Sequence, residues 1–189
     1  TGLETNFFAK RLKTKQSKLI GIILPRIDSV TVGKLLTGIN KKLESEGYQG
    51  IILISELSVE KELSHINSLY QQGVDGIIVN SIAITKEHIK LVNRLNIPVI
   101  FTGQKNNLVD CIKINDYEAG KIMGNFFKEK NHKRAVFIGV SEEDEAVGID
   151  RKNGFISAFK DGNENSRVDF IEADFSFMKG YEKSKEALD

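Results

Sequence analysis

The chain has 189 residues, of which 40% are apolar and 28% charged, and its formal net charge is +1. This composition is typical of a globular protein with one or two cores, and no apolar run reaches the roughly 18 residues of a membrane helix. Cys111 is a single cysteine and cannot form an internal disulfide, which favours a reducing cytoplasm. The three histidines lack the spacing of ligands, so we expect no metal and no cofactor.

The first 18 residues form a basic segment with a local net charge of +4, although the whole chain carries only +1. Asn6 is a suitable helix N-cap, and Phe8, Ala9 and Leu12 follow at helical spacing among basic residues. A basic helix with an apolar side chain is typical of a minor-groove binder, in which cations contact phosphates and apolar groups enter base steps. A solvated chain terminus is the alternative interpretation of the charge.

Residues 19–105 alternate short apolar runs with amphipathic runs, which is the pattern of a parallel α/β sheet. Four strands are predicted, in the spatial order 2-1-3-4, at residues 19–24, 50–55, 76–80 and 98–102. Because these strands are apolar at consecutive positions, both of their faces should be covered by helices. Apolar residues at helical spacing predict those helices at about residues 32–43, 59–72 and 86–95.

The pattern changes at residues 106–116, where we place the boundary between a first lobe, 19–105, and a second lobe, 106–189. A less uniformly apolar strand at 111–114 should open the second lobe, followed by a helix from about 117 to 130 that Asn115 and Asp116 cap. The remaining predicted elements are strands at 135–139 and 168–173 and helices at about 151–160 and 177–188.

Seven segments of the chain resemble the lactose-repressor/galactose-repressor (LacI/GalR) family of transcriptional regulators. They occur in the family's order and spacing, at residues 6–17, 19–25, 75–79, 97–101, 114–120, 132–139 and 151–155. The resemblance implies a periplasmic-binding-protein-like type I fold, with two Rossmann-like lobes of parallel sheet flanked by helices and an incomplete second lobe. It also implies that residues 1–18 form the hinge, with DNA contacts at Ala9, Lys10 and Leu12, and that a DNA-binding headpiece would precede them.

Polar side chains follow the predicted strands of the first lobe, and a parallel sheet collects ligands at the ends of its strands. They contain no acid/base pair, and their hydroxyl, amide and carboxylate groups suit a polyhydroxylated ligand, although all are also common loop residues. These candidate effector-binding residues are Asp28, Ser29, Ser55, Asn80 and Gln104.

The resemblance adds Arg151, which it implies faces the effector cleft and donates forked hydrogen bonds to sugar hydroxyls. Asp150 is a further candidate contact, and we expect Asp150 or Asp28 to hold the Arg151 guanidinium when no effector is bound. A surface arginine at the start of a helix is the alternative interpretation.

Two departures from the family pattern bear on the effector. Many members have Asn-Pro-Phe-Phe where this chain has Ser-Val-Thr-Val at residues 29–32, so the aromatic that would stack on a sugar is missing. Gly103 stands where an aspartate often binds sugar hydroxyls. The effector's identity is therefore not inherited from a relative.

These observations predict a cytoplasmic, homodimeric, DNA-binding transcriptional regulator, with repression as the expected mode. Its core would bind a sugar or sugar-derived effector that modulates binding to operator DNA. The alternative is a solute-binding protein of a sugar transporter, which would share the fold but would not need the basic segment. An enzyme is not expected, because the sequence has no GxGxxG after a strand, no P-loop, no GxSxG and no CxxC.

Overall fold

Five parallel strands form one sheet in the spatial order β2-β1-β3-β4-β5. The computed structural model describes residues 16–188, so the predicted hinge contacts Ala9, Lys10 and Leu12 lie outside the described residues. The strands are β1 (Leu19–Leu24), β2 (Gln49–Ile54), β3 (Gly76–Asn80), β4 (Val99–Thr102) and β5 (Asp110–Ile112). The predicted order 2-1-3-4 is confirmed, and all four neighbouring pairs run parallel.

The fifth strand corrects the predicted division of the chain. We expected residues 106–112 to belong to the second lobe, but β5 pairs with β4 in parallel register, with residues 110–112 opposite 100–102. The Gly103 N–H also donates a hydrogen bond of 3.1 Å to the Ile112 carbonyl. The reason is that β4 would otherwise leave unpaired backbone groups along its outer side. The chain accordingly forms two compact units, one ending at Ile112 and one beginning at Lys113.

Three helices connect the strands of the first unit: α1 (Val30–Ser45), α2 (Val59–Gln71) and α3 (Lys86–Val92). Each begins at a hydroxyl side chain, Ser29, Ser58 or Thr85, which accepts a hydrogen bond from a backbone N–H in the first turn. The core lies mainly between α2, β1, β3 and β4. Its fully buried members include Ile23, Ile66, Leu69, Val79 and Phe101.

Helix α1 differs from its prediction in burial. Its predicted apolar stripe, Val32 to Leu43, faces the sheet side, but none of the residues of α1 is fully buried within this chain. Val30, at the start of the helix, is 76% exposed. The stripe therefore retains apolar surface that residues 16–188 do not cover completely.

A half-buried carboxylate anchors the start of β1. Asp75, just before β3, accepts hydrogen bonds from the Ser17 amide at 2.8 Å, the Ser17 hydroxyl at 2.9 Å and the Lys18 amide at 2.9 Å. Burial alone would raise the pKa of Asp75, but these hydrogen bonds outweigh it and hold the pKa below the ordinary value of 3.8. Asp75 thus fixes the point at which the chain enters the first sheet.

We expect Asp75→Asn to lower the free energy of unfolding by about 1–3 kcal/mol, because an amide cannot accept all three hydrogen bonds. Urea unfolding followed by circular dichroism measures this, with Asp110→Asn, an exposed carboxylate, as the control. Because the folded-state pKa is lowered, the contribution of Asp75 is present above about pH 4 and is lost as the pH falls through the folded-state pKa. A difference between wild type and Asp75→Asn that grows on acidification would contradict the assignment.

The second unit contains a two-stranded parallel sheet and three α-helices among the residues described. Its elements are α4 (Asp116–Glu129), β6 (Arg134–Gly139), a π-helical turn (Glu145–Arg151), α5 (Lys152–Lys160), β7 (Arg167–Glu172) and α6 (Phe177–Glu186). The strand β7 begins one residue earlier than predicted. The π-helical turn was not predicted, because its apolar residues carry no period of their own.

Helices α4 and α5 pack with their backbones in close contact. A Cβ atom at Gly120 would lie 2.1 Å from the Arg151 carbonyl oxygen, and one at Gly154 would lie 2.0 Å from that of Tyr117. A Cβ atom at Gly124 would lie 2.4 Å from the Phe155 carbonyl oxygen. Only residues without a side chain permit this approach, so these glycines set the distance between the two helices. The core beside them is aromatic and includes Phe127, Phe137, Phe155 and Phe159.

Candidate functional site

The ends of strands β1 to β4 bring together the polar residues that the sequence singled out in the first unit. We call this set of residues, 25–29, 55–58, 80–85 and 103–104, the carboxyl edge. Its members come from four separate segments because every parallel strand points the same way and ends on the same side of the sheet. The side chains differ in how accessible they are.

Asp28 is the most accessible of the candidates, with its side chain 69% exposed. Arg26 donates to both of its oxygens, from Nε at 2.5 Å and from Nη2 at 2.6 Å. The hydrogen bond from Arg26 holds the pKa of Asp28 below its ordinary value, so the carboxylate is ionised and held in one orientation. The next candidate, Ser29, has a structural role, since its hydroxyl accepts from the Val32 amide at the start of α1.

Two other candidates are buried. Ser55 is fully buried, and both its amide, at 2.9 Å, and its hydroxyl, at 3.4 Å, donate to the Leu24 carbonyl, which joins the ends of β1 and β2. Gln104 is 4% exposed. Asn80, the last residue of β3, is half-buried and pairs with Thr102. The residue after Thr102, Gly103, has φ +92°, a left-handed conformation that favours glycine. Asp28 is thus the exposed candidate of this unit, whereas Ser29 and Asn80 are half-buried.

In the second unit, a buried aspartate holds the guanidinium of Arg151. The Nε and Nη2 atoms of Arg151 lie 3.1 Å and 2.5 Å from Asp116 Oδ1. The Asp116 side chain is 4% exposed, whereas that of Arg151 is 43% exposed. A buried carboxylate therefore orients a partly exposed donor group.

This pairing corrects the expected partner of Arg151. Asp150 accepts instead from Lys113 Nζ at 3.0 Å. The physical reason is the close packing of α4 on the π-helical turn, which brings the first residue of α4 against the last residue of the turn. Asn115 caps α4 through its side-chain oxygen, which leaves the Asp116 carboxylate free for Arg151.

Arg151 is the last residue of the π-helical turn, which several contacts hold in place. Asp144 caps the turn by accepting from the Val147 amide at 2.9 Å. Gly148 lets the turn pack closely against the backbone of Ser141, because a Cβ there would lie 2.1 Å from the Ser141 carbonyl oxygen. Lys152, the next residue after the turn, is fixed by Glu142 at 2.5 Å and lies 4.6 Å over the Phe170 ring. Such turns occur often at functional sites, since they displace one side chain from the regular helical position.

The chemistry that these residues offer is hydrogen bonding to a polar ligand. Among residues 16–188, no three His, Cys, Asp or Glu side chains are grouped so that they could hold a metal ion. Within the same part of the chain, no helix is long and apolar enough to cross a membrane. Arg151 has five N–H groups and directs two of them at Asp116, so the others can serve an external acceptor.

Asp116→Ala should lower the free energy of unfolding by about 1–2 kcal/mol, less than for a fully buried pair because Arg151 is partly exposed. Asp150→Ala removes the ion pair with Lys113, whose carboxylate is 31% exposed against 4% for Asp116, and should change the free energy of unfolding by less than about 0.5 kcal/mol. Urea unfolding of both variants gives the comparison. Equal effects of the two substitutions would contradict the prediction that the buried Asp116 carboxylate stabilises the fold more than Asp150 does.

Comparison with known proteins relates this arrangement to one family. A family model described as "Periplasmic binding proteins and sugar binding domain of LacI family" matches residues 17–181. A sucrose operon repressor of Staphylococcus xylosus is 30% identical over 185 residues, which is 98% of this chain and 57% of the relative. Catabolite control protein A of Priestia megaterium is 24% identical over 191 residues, covering 100% of this chain and 58% of the relative. The chain thus spans a little over half the length of these relatives.

Solved structures show the same fold at lower sequence identity. The Cra transcriptional dual regulator of Pseudomonas putida, in complex with fructose 1-phosphate, superposes with a TM-score of 0.79 at 17% identity, covering 90% of this chain and 64% of that one. A galactofuranose binding protein also gives a TM-score of 0.79, at 23% identity, covering 90% of this chain and 61% of that one. The fold therefore occurs both in regulators and in binding proteins.

Proposed function

Because the chain belongs to the family of periplasmic binding proteins and LacI-type sugar-binding domains, we propose that it is the effector-binding core of a DNA-binding transcriptional regulator. The predicted membership and the predicted periplasmic-binding-protein-like fold are both confirmed. The match over residues 17–181 carries the proposal, and the basic segment that precedes it supports the DNA-binding part. Repression is the proposed mode, since relatives that align with nearly the whole chain are named repressors.

The proposed effector is a sugar or a sugar-derived molecule. The residues proposed to bind its hydroxyls are Asp28 and Asn80 in the first unit and, in the second unit taken by itself, Arg151 and Asp150. Arg26 and Asp116 support this assignment, because each pairs with a candidate residue and holds its charged group in place before a ligand arrives. The remaining candidates would support the structure of the carboxyl edge without being exposed on it; they are Ser29, Ser55 and Gln104.

The proposed regulator acts in the cytoplasm as a homodimer that binds operator DNA. The incompletely buried apolar stripe of α1 supports dimerisation, because a second copy could cover it. Neither an enzymatic activity nor a cofactor is part of the proposal. A solute-binding protein of a sugar transporter is the second candidate, since a galactofuranose binding protein shares the fold. The basic segment and the named regulators among the relatives favour the DNA-binding candidate.

Isothermal titration of the full-length protein with sucrose, fructose, glucose, trehalose and fructose 1-phosphate tests the effector class. For the sugar that binds, Arg151→Ala should weaken affinity on the order of 10- to 100-fold, because hydrogen bonds to a charged group are lost. Arg151→Lys, which keeps the positive charge but lacks the forked N–H donors of the guanidinium, should retain part of the affinity that Arg151→Ala loses. Arg134→Ala, which removes an arginine that is 76% exposed in the same unit, is the control and should bind as wild type. Equal affinities for wild type and Arg151→Ala would remove Arg151 from the site.

Operator binding by the full-length protein separates the two candidate functions. Leu12→Ala should weaken binding to the specific operator at least about tenfold if its side chain enters the minor groove. Lys10→Ala should instead reduce the slope of log K against log salt concentration by about one, the value expected for the loss of one phosphate contact. Fluorescence anisotropy with labelled operator DNA measures both effects. A full-length protein that binds sugar but no DNA would favour the solute-binding candidate.

A further inference from the structure

A buried polar network in the first unit joins α2 and α3 to the carboxyl edge. Its members are Glu62 in α2, His88 in α3, Ser81 after β3 and Thr85 at the start of α3. Glu62 and His88 are fully buried, and Ser81 is 3% exposed. Nothing in the sequence singles out these residues as a group, because they lie up to 26 positions apart.

His88 lies between the two helices, with Nδ1 hydrogen-bonded at the start of α3 and Nε2 beside the Glu62 carboxylate of α2. The Thr85 amide donates to His88 Nδ1 at 3.2 Å, in a capping box at the start of α3. A backbone amide can only donate, so Nδ1 accepts and the proton of the neutral ring lies on Nε2. Nε2 in turn lies 3.2 Å from Glu62 Oε2. The ring also packs edge-on against Phe101, with centroids 5.6 Å apart, which fixes its plane.

Ser81 transmits the position of Glu62 to the backbone of the carboxyl edge. Its hydroxyl oxygen lies 2.6 Å from Glu62 Oε2 and 2.7 Å from the Ala83 carbonyl oxygen. The same oxygen accepts from the Ala83 amide at 3.3 Å. The turn at residues 81–83 is therefore tied to the Glu62 carboxylate, and this turn follows directly on Asn80.

Burial of this network costs free energy of folding. Glu62 Oε1 has no hydrogen-bond partner among the residues described, and His88 Nε2 meets Oε2 outside hydrogen-bond geometry. An unsatisfied buried polar atom destabilises a fold, and an apolar side chain of similar size would avoid that cost. What the network provides instead is a fixed geometry for the turn at residues 81–83.

We infer that Glu62 and His88 are positioning residues for the carboxyl edge, where they hold Asn80, through Ser81, in the arrangement that meets the effector. The identity of the ligand rests on the proposed function. Neither residue touches the ligand. Both act through the turn that carries Asn80.

The test is a double-mutant cycle on sugar affinity, using whichever sugar of the panel (sucrose, fructose, glucose, trehalose or fructose 1-phosphate) binds wild type most tightly. Glu62→Gln and Ser81→Ala should each weaken binding about 5- to 20-fold, and Glu60→Gln, at an exposed position of the same helix, should not. In an Asn80→Ala background, Glu62→Gln should cause no further loss, because its effect acts through Asn80. A general loss of stability would instead add to the effect of Asn80→Ala.

Wild-type affinity in both Glu62→Gln and Ser81→Ala, or full additivity with Asn80→Ala, would overturn the inference. If no sugar of the panel binds wild type, the proposed function fails and the inference is tested on the free protein by NMR. Glu62→Gln should then shift the Asn80 side-chain amide resonances and speed exchange of the Ala83 amide, and Glu60→Gln should do neither. Unchanged resonances would overturn it. If Glu62→Gln does not fold, Ser81→Ala takes its place in each measurement.

Discussion

The first unit depends on one constraint. The backbone N–H and C=O groups of every strand in a parallel sheet need hydrogen-bond partners along the whole strand. The chain meets this constraint by returning through a helix after each of the first three strands, so each strand ends on the same side. This arrangement brings Asp28, Asn80 and Gly103 to one edge although they are widely separated in sequence. It also explains β5, which pairs with the outer side of β4. The candidate residues of this unit are therefore neighbours because of backbone pairing.

Local patterns predicted most of the elements but few of the contacts. Strands β1 and β3 were predictable because consecutive apolar residues mark strands buried on both faces, whereas β5 alternates and its sheet could not be assigned. The partner of Arg151 was missed because Asp116 reaches it only through the close approach of α4 to the π-helical turn, and that distance depends on packing. The network around Glu62 was missed for the same reason, since a buried carboxylate looks like any helix glutamate in the sequence.

Two arginine–aspartate pairs illustrate one way to prepare a site for a polar ligand. In the first unit, an exposed carboxylate is oriented by Arg26, and in the second an exposed guanidinium is oriented by Asp116. The exposed member is an acceptor in one case and a donor in the other, and sugar hydroxyls can satisfy both. Because each charged group is held before binding, less side-chain entropy is lost when a ligand arrives.

The glycine contacts between α4 and α5 have a mechanical consequence. With Gly120, Gly124 and Gly154 allowing backbone to touch backbone, no layer of side chains remains that could rearrange when one helix is pushed. The two helices should therefore move together as one rigid body. Asp116 begins α4 and Arg151 directly precedes α5, so a displacement of either helix would carry the ion pair along intact.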